Sequence, residues 1–160
     1  MTKYFEVTHR DGSARLGKLR FPTPLPTPAI CDDFLYNSGS LWATEKEIPP
    51  SPSIDKLLIL PHRGFPPGTE PILEDAFFVE PPDMDSPTAA VISPKTASDL
   101  HTDAYILSTA SHSLGPPQKF CNDIIQTKIS IPPDSALYLP GIATPQNLSF
   151  FVYLGIDLFD

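Results

Sequence analysis

Residues Tyr4 to Arg10 alternate apolar and polar positions, and Ala14 to Arg20 do so again, with Asp11-Gly12-Ser13 between them. Alternation on both sides of an Asp-Gly turn predicts a β-hairpin. The stretch Phe21-Pro22-Thr23-Pro24-Leu25-Pro26-Thr27-Pro28 has proline at every second position. Proline forbids a helix and offers no N–H to a ladder, so this piece reads as an extended connector. Ala29-Ile30-Cys31 reads as a short buried strand just beyond it. Residues 32–56 are weakly patterned, with room for a helical turn over Leu41 to Glu47.

From there the texture changes. Short, continuously apolar runs recur at Leu57–Leu60, Ala76–Val79, Ala89–Ile92, Ala104–Leu107, Ala136–Leu139 and Gly155–Phe159. A run without alternation suits a strand buried on both faces, and so a parallel sheet covered by other layers. The intervals supply helices. Ser93-Pro94-Lys95 reads as a capped helix start. Pro117 to Ile125 places Phe120 and Ile124, with Ile125 beside them, on one helical face. Thr144 to Gly155 predicts a helix with Thr144 as N-cap, Pro145 at the first helical position and Gly155 as C-cap glycine. Strand 136–141, helix 145–154 and strand 155–160 then form a βαβ unit.

Composition sharpens this picture. The 21 prolines among 160 residues keep regular elements short and exclude a helical bundle or coiled coil. Lys plus Arg is 11 against Asp plus Glu 19, a net charge of −8, which argues against a freestanding module for nucleic acid, DNA included. The start lacks a secretory apolar run and no stretch reaches the ~20 apolar residues of a membrane span. The setting expected is therefore cytoplasmic, with Cys31 and Cys121 as buried, inert thiols. His101 and His112, with Asp99 and Asp103 nearby, fit no recognised metal spacing, and no metal site is expected.

Leu137-Tyr138-Leu139-Pro140-Gly141-Ile142-Ala143-Thr144-Pro145, followed by Gly155-Ile156-Asp157-Leu158-Phe159-Asp160, resembles a late βαβ segment of the tRNA-guanine transglycosylase family. Phe5, Asp11-Gly12, Ala14-Arg15-Leu16-Gly17 and Thr27-Pro28-Ala29 match that family's opening. Pro61-His62-Arg63-Gly64-Phe65-Pro66, Asp103-Ala104-Tyr105-Ile106-Leu107-Ser108 and Ile131-Pro132-Pro133-Asp134-Ser135 are similar to one branch, the archaeosine synthases. The resemblance implies an α/β fold, a (β/α)8 TIM-barrel-like domain, incomplete or shortened, with an N-terminal β-hairpin. The whole of 1–160 reads as one domain, the hairpin and connector at 1–26 and the barrel elements at 27–160, forming the N-terminal part of a longer protein. A chain stopping on a parallel strand leaves a bare edge, which further domains or a partner subunit must cover.

The resemblance also implies chemistry. In the family the last Asp of Gly-Ile-Asp-Met-Phe-Asp is the nucleophile toward the ribose anomeric carbon, and by position it is Asp160. A carboxylate there can trap an oxocarbenium-like state as a covalent intermediate. Tyr138, Pro140 and Gly141 are the implied substrate-binding positions. The family's base-recognising Asp-Ser-Gly-Gly-Phe-Gln has no counterpart; Asn37-Ser38-Gly39-Ser40 is an echo that lies too early. The family's zinc-site cysteines are also absent, so no cofactor is expected in this chain. The leading expectation is thus the transglycosylase-like domain of an archaeosine synthase, acting on a 7-deazaguanine in the tRNA D-loop, with tRNA contacted through other domains. The alternatives are true base exchange through Asp160, or a non-catalytic half-barrel that supplies an interface.

Overall fold

The computed structural model describes residues 4–30, 35–37, 57–59, 87–92, 101–107 and 116–159. The hairpin forms as its alternation predicts: β1 (Phe5–Asp11) pairs antiparallel with β2 (Ala14–Leu19) around Gly12, whose φ of 60° suits the turn. The proline stretch is more than a connector. Leu25–Thr27 is a third strand, β3, with Pro26 opposite Lys18 at the edge of this small sheet. An edge position tolerates Pro26 because its missing N–H can face away from the ladder.

The second sheet is parallel and seven-stranded, from β4 (Ala29–Ile30), β5 (Leu35–Asn37), β6 (Leu57–Ile59), β7 (Thr88–Ile92), β8 (Ala104–Leu107), β9 (Ala136–Leu139) and β10 (Leu158–Phe159). Its spatial order is β4-β10-β9-β8-β7-β6-β5. The apolar runs at 57, 89, 104 and 136 become strands as expected, and all pair in parallel. The run at 76–79, the helix start at 93 and the segment 41–47 lie outside the described residues. Ile30 is not buried as expected but 59% exposed.

The two edge strands, β4 and β5, are separated by only residues 31–34. Laid flat, six inter-strand gaps of ~4.8 Å would set them ~29 Å apart, whereas five Cα–Cα steps span at most ~19 Å. The sheet must therefore curl, giving a partial barrel. β10 is also not the bare edge expected: it lies between β9 and β4, with Leu158 level with both Tyr138 and Ala29.

Alternation along the strands divides the core in two. On the helix side, Ala90, Ile92, Tyr105, Leu107, Leu137, Leu139 and Phe159 pack with α1 (Pro117–Ser130) and α2 (Leu148–Tyr153). On the hairpin side, register aligns Ala89, Ala104 and Ala136 in one row and Val91, Ile106, Tyr138 and Leu158 in the next. The small alanines share a buried cluster with Phe5, Leu19 and Phe21, so the hairpin sheet closes that side of the core.

α1 contains the predicted segment and runs five residues further, burying Ile124 while Ile125 is 38% exposed. α2 starts later than predicted. Thr144 is not its N-cap; Asn147 holds that position, and Pro145 lies in a preceding turn. The reason is local: Asn147 Oδ1 accepts from Thr144 N at 2.7 Å and its Nδ2 donates to Ile142 O at 3.0 Å, fixing a turn before the helix. Gly155 ends the helix at φ 92° as expected. A Cβ there would lie 2.6 Å from Ser13 O, so the same glycine lets the hairpin turn approach.

Candidate functional site

All strands of the large sheet point one way, so their ends define two rims. The rim at the C-terminal ends is the one that resemblance singles out. Tyr138 is buried at 6% exposure in the second hairpin-side row, level with Ile106 and Leu158. Pro140 follows the end of β9 and is half-buried. Gly141 is exposed at φ 72°, and a Cβ there would meet nothing within 4 Å. Space is thus left where a side chain would stand at Gly141, and the Asn147 hydrogen bonds hold the loop behind it. The structure therefore brings Tyr138, Pro140 and Gly141 to one strand end. Asp160 lies outside the described residues. Among the described residues that end the parallel strands, none is a carboxylate, imidazole or amine.

The opposite rim is dense with charge. Asp157, fully buried just before β10, accepts from Arg15 Nε at 2.7 Å through Oδ1 and from Arg15 Nη2 at 2.5 Å through Oδ2. The same Oδ2 accepts the Leu137 amide at 2.7 Å and lies 3.3 Å from Lys128 Nζ. Arg15, itself 4% exposed, also donates to the carbonyls of Pro133 (2.7 Å) and Ser135, and its guanidinium stands 5.0 Å from the centre of the Phe5 ring. Arg10 donates to Pro133 O as well, at 2.7 Å. A buried carboxylate is tolerable only when paired and hydrogen-bonded, and Asp157 has four donors. Burial lowers the Lys128 pKa to about 8, against the opposing pull of Asp157.

Asp103 repeats the device one strand pair away. It sits just before β8, accepts the Thr88 amide through Oδ2 (3.1 Å) and the Tyr4 amide through Oδ1 (3.2 Å). Each aspartate thus caps the first residues of a neighbouring strand and holds a piece of the hairpin. Asp103, noted in sequence as a neighbour of His101, is therefore engaged in structure, and His101 is exposed. His112 and Asp99 lie outside the described residues, as do Cys31 and Arg63. Cys121 is free and half-buried against the helix-side core. Among the described residues no three His, Cys, Asp or Glu side chains come together.

Sequence reading missed this rim. The available signal was parity: Arg15 is in phase with Gly17 and Leu19, which are buried, while Leu16 is out of phase and 53% exposed. An arginine in the buried phase of one strand implies a buried carboxylate elsewhere, and Asp157 stands inside an apolar run.

No family model matches the chain. Curated relatives align along its whole length. The archaeosine synthase of Haloferax volcanii is 48% identical over 160 residues. The archaeosine synthase subunit alpha of Methanosarcina acetivorans is 33% identical over 185. The chain spans 27% and 29% of the length of these two proteins. It is therefore homologous, from end to end, to one segment of proteins named archaeosine synthase. Among the described residues, no helix is long and apolar enough to cross a membrane.

Proposed function

We propose that this chain, as the homologue of a segment of archaeosine synthases, serves as the transglycosylase-like domain of such an enzyme and acts in tRNA modification on the route to archaeosine. The observation that carries the reading is the 48% identity maintained over every residue of the chain. The substrate is a 7-deazaguanine already in the tRNA D-loop, reached in the cytoplasm, with tRNA contacts supplied by other domains. The parallel sheet supports a fold of the (β/α)8 barrel kind in shortened form, since its edges are joined by four residues of chain. The substrate-side rim is the one bearing Tyr138, Pro140 and Gly141, where the glycine leaves the space of a side chain clear for the flat face of a purine-like base.

Asp160 belongs to the same reading as the positional equivalent of a glycosyl nucleophile. Leu158 and Phe159, which precede it in sequence, pair in parallel with Tyr138 and Leu139. In base exchange its carboxylate would bond to the ribose anomeric carbon as the old base leaves, and the incoming base would then displace it. The test is a chimera in which this chain replaces the homologous segment of the Haloferax volcanii protein, with archaeosine measured in tRNA hydrolysates. Archaeosine should return to the parental level, and its absence in cells that accumulate the chimera would overturn the reading. Asp160→Asn in the chimera separates the two chemistries: archaeosine persists if this domain only positions tRNA, and disappears if base exchange through Asp160 is required.

A further inference from the structure

The helix-side surface is unlike that of an ordinary amphipathic layer. From Ser135 to Ile156 no residue is charged, although the chain carries a net charge of −8. α1 has only Lys119, Asp123 and Lys128 as charged residues, and Lys128 is turned onto buried Asp157. In place of charge, the solvent side carries large apolar groups: Ile125 and Ile129 one turn apart on α1, at 38% and 72% exposure, and Phe150 and Tyr153 on α2, at 48% and 70%. The two helices are side by side. Phe120 of α1 meets Phe151 of α2 edge-on at 6.0 Å between ring centres, and a Cβ on Gly155 would lie 3.3 Å from the Lys128 side chain.

Loss of charge together with exposed aromatic and branched residues marks the centre of a protein interface, and it is the wrong chemistry for a phosphate backbone. The aligned relatives extend well beyond the matched segment, which is 27% and 29% of their length. We infer that the α1–α2 face, through Ile125, Ile129, Phe150 and Tyr153, is the docking surface for the remaining polypeptide of an archaeosine synthase. The bound surface is apolar and uncharged at its centre. This inference rests on the chain's being such a segment, but it concerns assembly and not the tRNA reaction.

The experiment mixes the purified 160-residue chain with the Haloferax volcanii protein from which the homologous segment has been removed. Association is measured by sedimentation or calorimetry without tRNA. The expected result is a one-to-one complex that Ile129→Glu with Tyr153→Glu weakens at least about 30-fold, as for two central interface residues. Both side chains are mostly in water, so the double variant should unfold at the temperature of the parent, measured in parallel. Hydrogen exchange should slow along 117–130 and 148–153 in the complex. Unchanged affinity in the double variant, no association at tens of micromolar, or a homodimer of this chain broken by the same substitutions each overturns the inference. Activity is not read, so any of these results leaves the proposed tRNA chemistry standing or falling on its own test.

Discussion

The two rims of the parallel sheet are built on opposite plans. At the N-terminal rim, Asp103 and Asp157 each satisfy a backbone amide of the neighbouring strand and a group from the hairpin, and Arg15 and Lys128 complete a nearly water-free ion cluster. At the C-terminal rim the described residues are uncharged, and the space where a side chain would stand at Gly141 is clear. One end spends its polar groups on each other; the described part of the other has no such cluster. In parallel barrels the N-terminal face reads as stability, and the ion cluster of this chain lies on that face.

The largest test of that division removes the hub of the closed rim. Asp157→Ala strands Arg15 and Lys128 in a buried site and leaves the Leu137 amide unpaired, so a loss of about 3–5 kcal/mol is expected in urea unfolding. Replacing the cluster as a whole, Arg15→Met with Lys128→Met and Asp157→Leu, should recover most of it, because no buried charge is then left alone. A single-variant loss below about 1 kcal/mol would erase the contrast between the rims.

A matched glycine pair comes next. Gly155→Ala forces a Cβ to 2.6 Å from Ser13 O at φ 92°, and should lower stability by at least about 2 kcal/mol. Gly141→Ala also meets a positive φ, but with open space around it, and should lower stability by only about 1 kcal/mol. Equal losses by thermal melting would show that the two rims are packed alike.

The smallest effect is a pH slope. The folded pKa of Lys128 is lowered to about 8 from 10.5, so between those values the unfolded chain binds the extra proton. Stability then rises with pH across that window, by at most about 1.4 kcal/mol per unit, and is flat below it as far as this lysine is concerned. The slope should be present in the parent protein and missing in Lys128→Met when unfolding is followed from pH 7 to 10. The same slope in both would show that Lys128 is better solvated than its place beside Asp157 implies.

Much of the fold was legible because burial on two faces leaves an unambiguous trace. Ala89–Ile92, Ala104–Leu107 and Ala136–Leu139 are strands in sequence and in space, and Asp11-Gly12 marks the hairpin. What escaped depended on partners distant along the chain. Leu25–Thr27 was hidden by its own proline, which matters little at a sheet edge. The enclosed position of β10 follows from a pairing with Ala29, which no local pattern encodes. The turn before α2 was set by a side chain, that of Asn147, competing with Thr144 for the cap. At the C-terminal rim the strand-end positions Tyr138, Pro140 and Gly141 came from resemblance, since nothing in their periodicity distinguishes them from core. At the N-terminal rim the ion cluster was visible only as an arginine out of phase with its leucine neighbour.

The junction between β10 and β4 has a kinetic consequence. Ala29 N donates to Asp157 O across most of the chain's length, so β10 must be made before the side of β4 can be buried. Such a seam has high contact order, and its loop-closure entropy is met only once nearly everything between has been made. Until then the β4 edge that β10 will cover waits unpaired, and a pause in translation before Gly155 prolongs the interval in which a neighbouring molecule can occupy it.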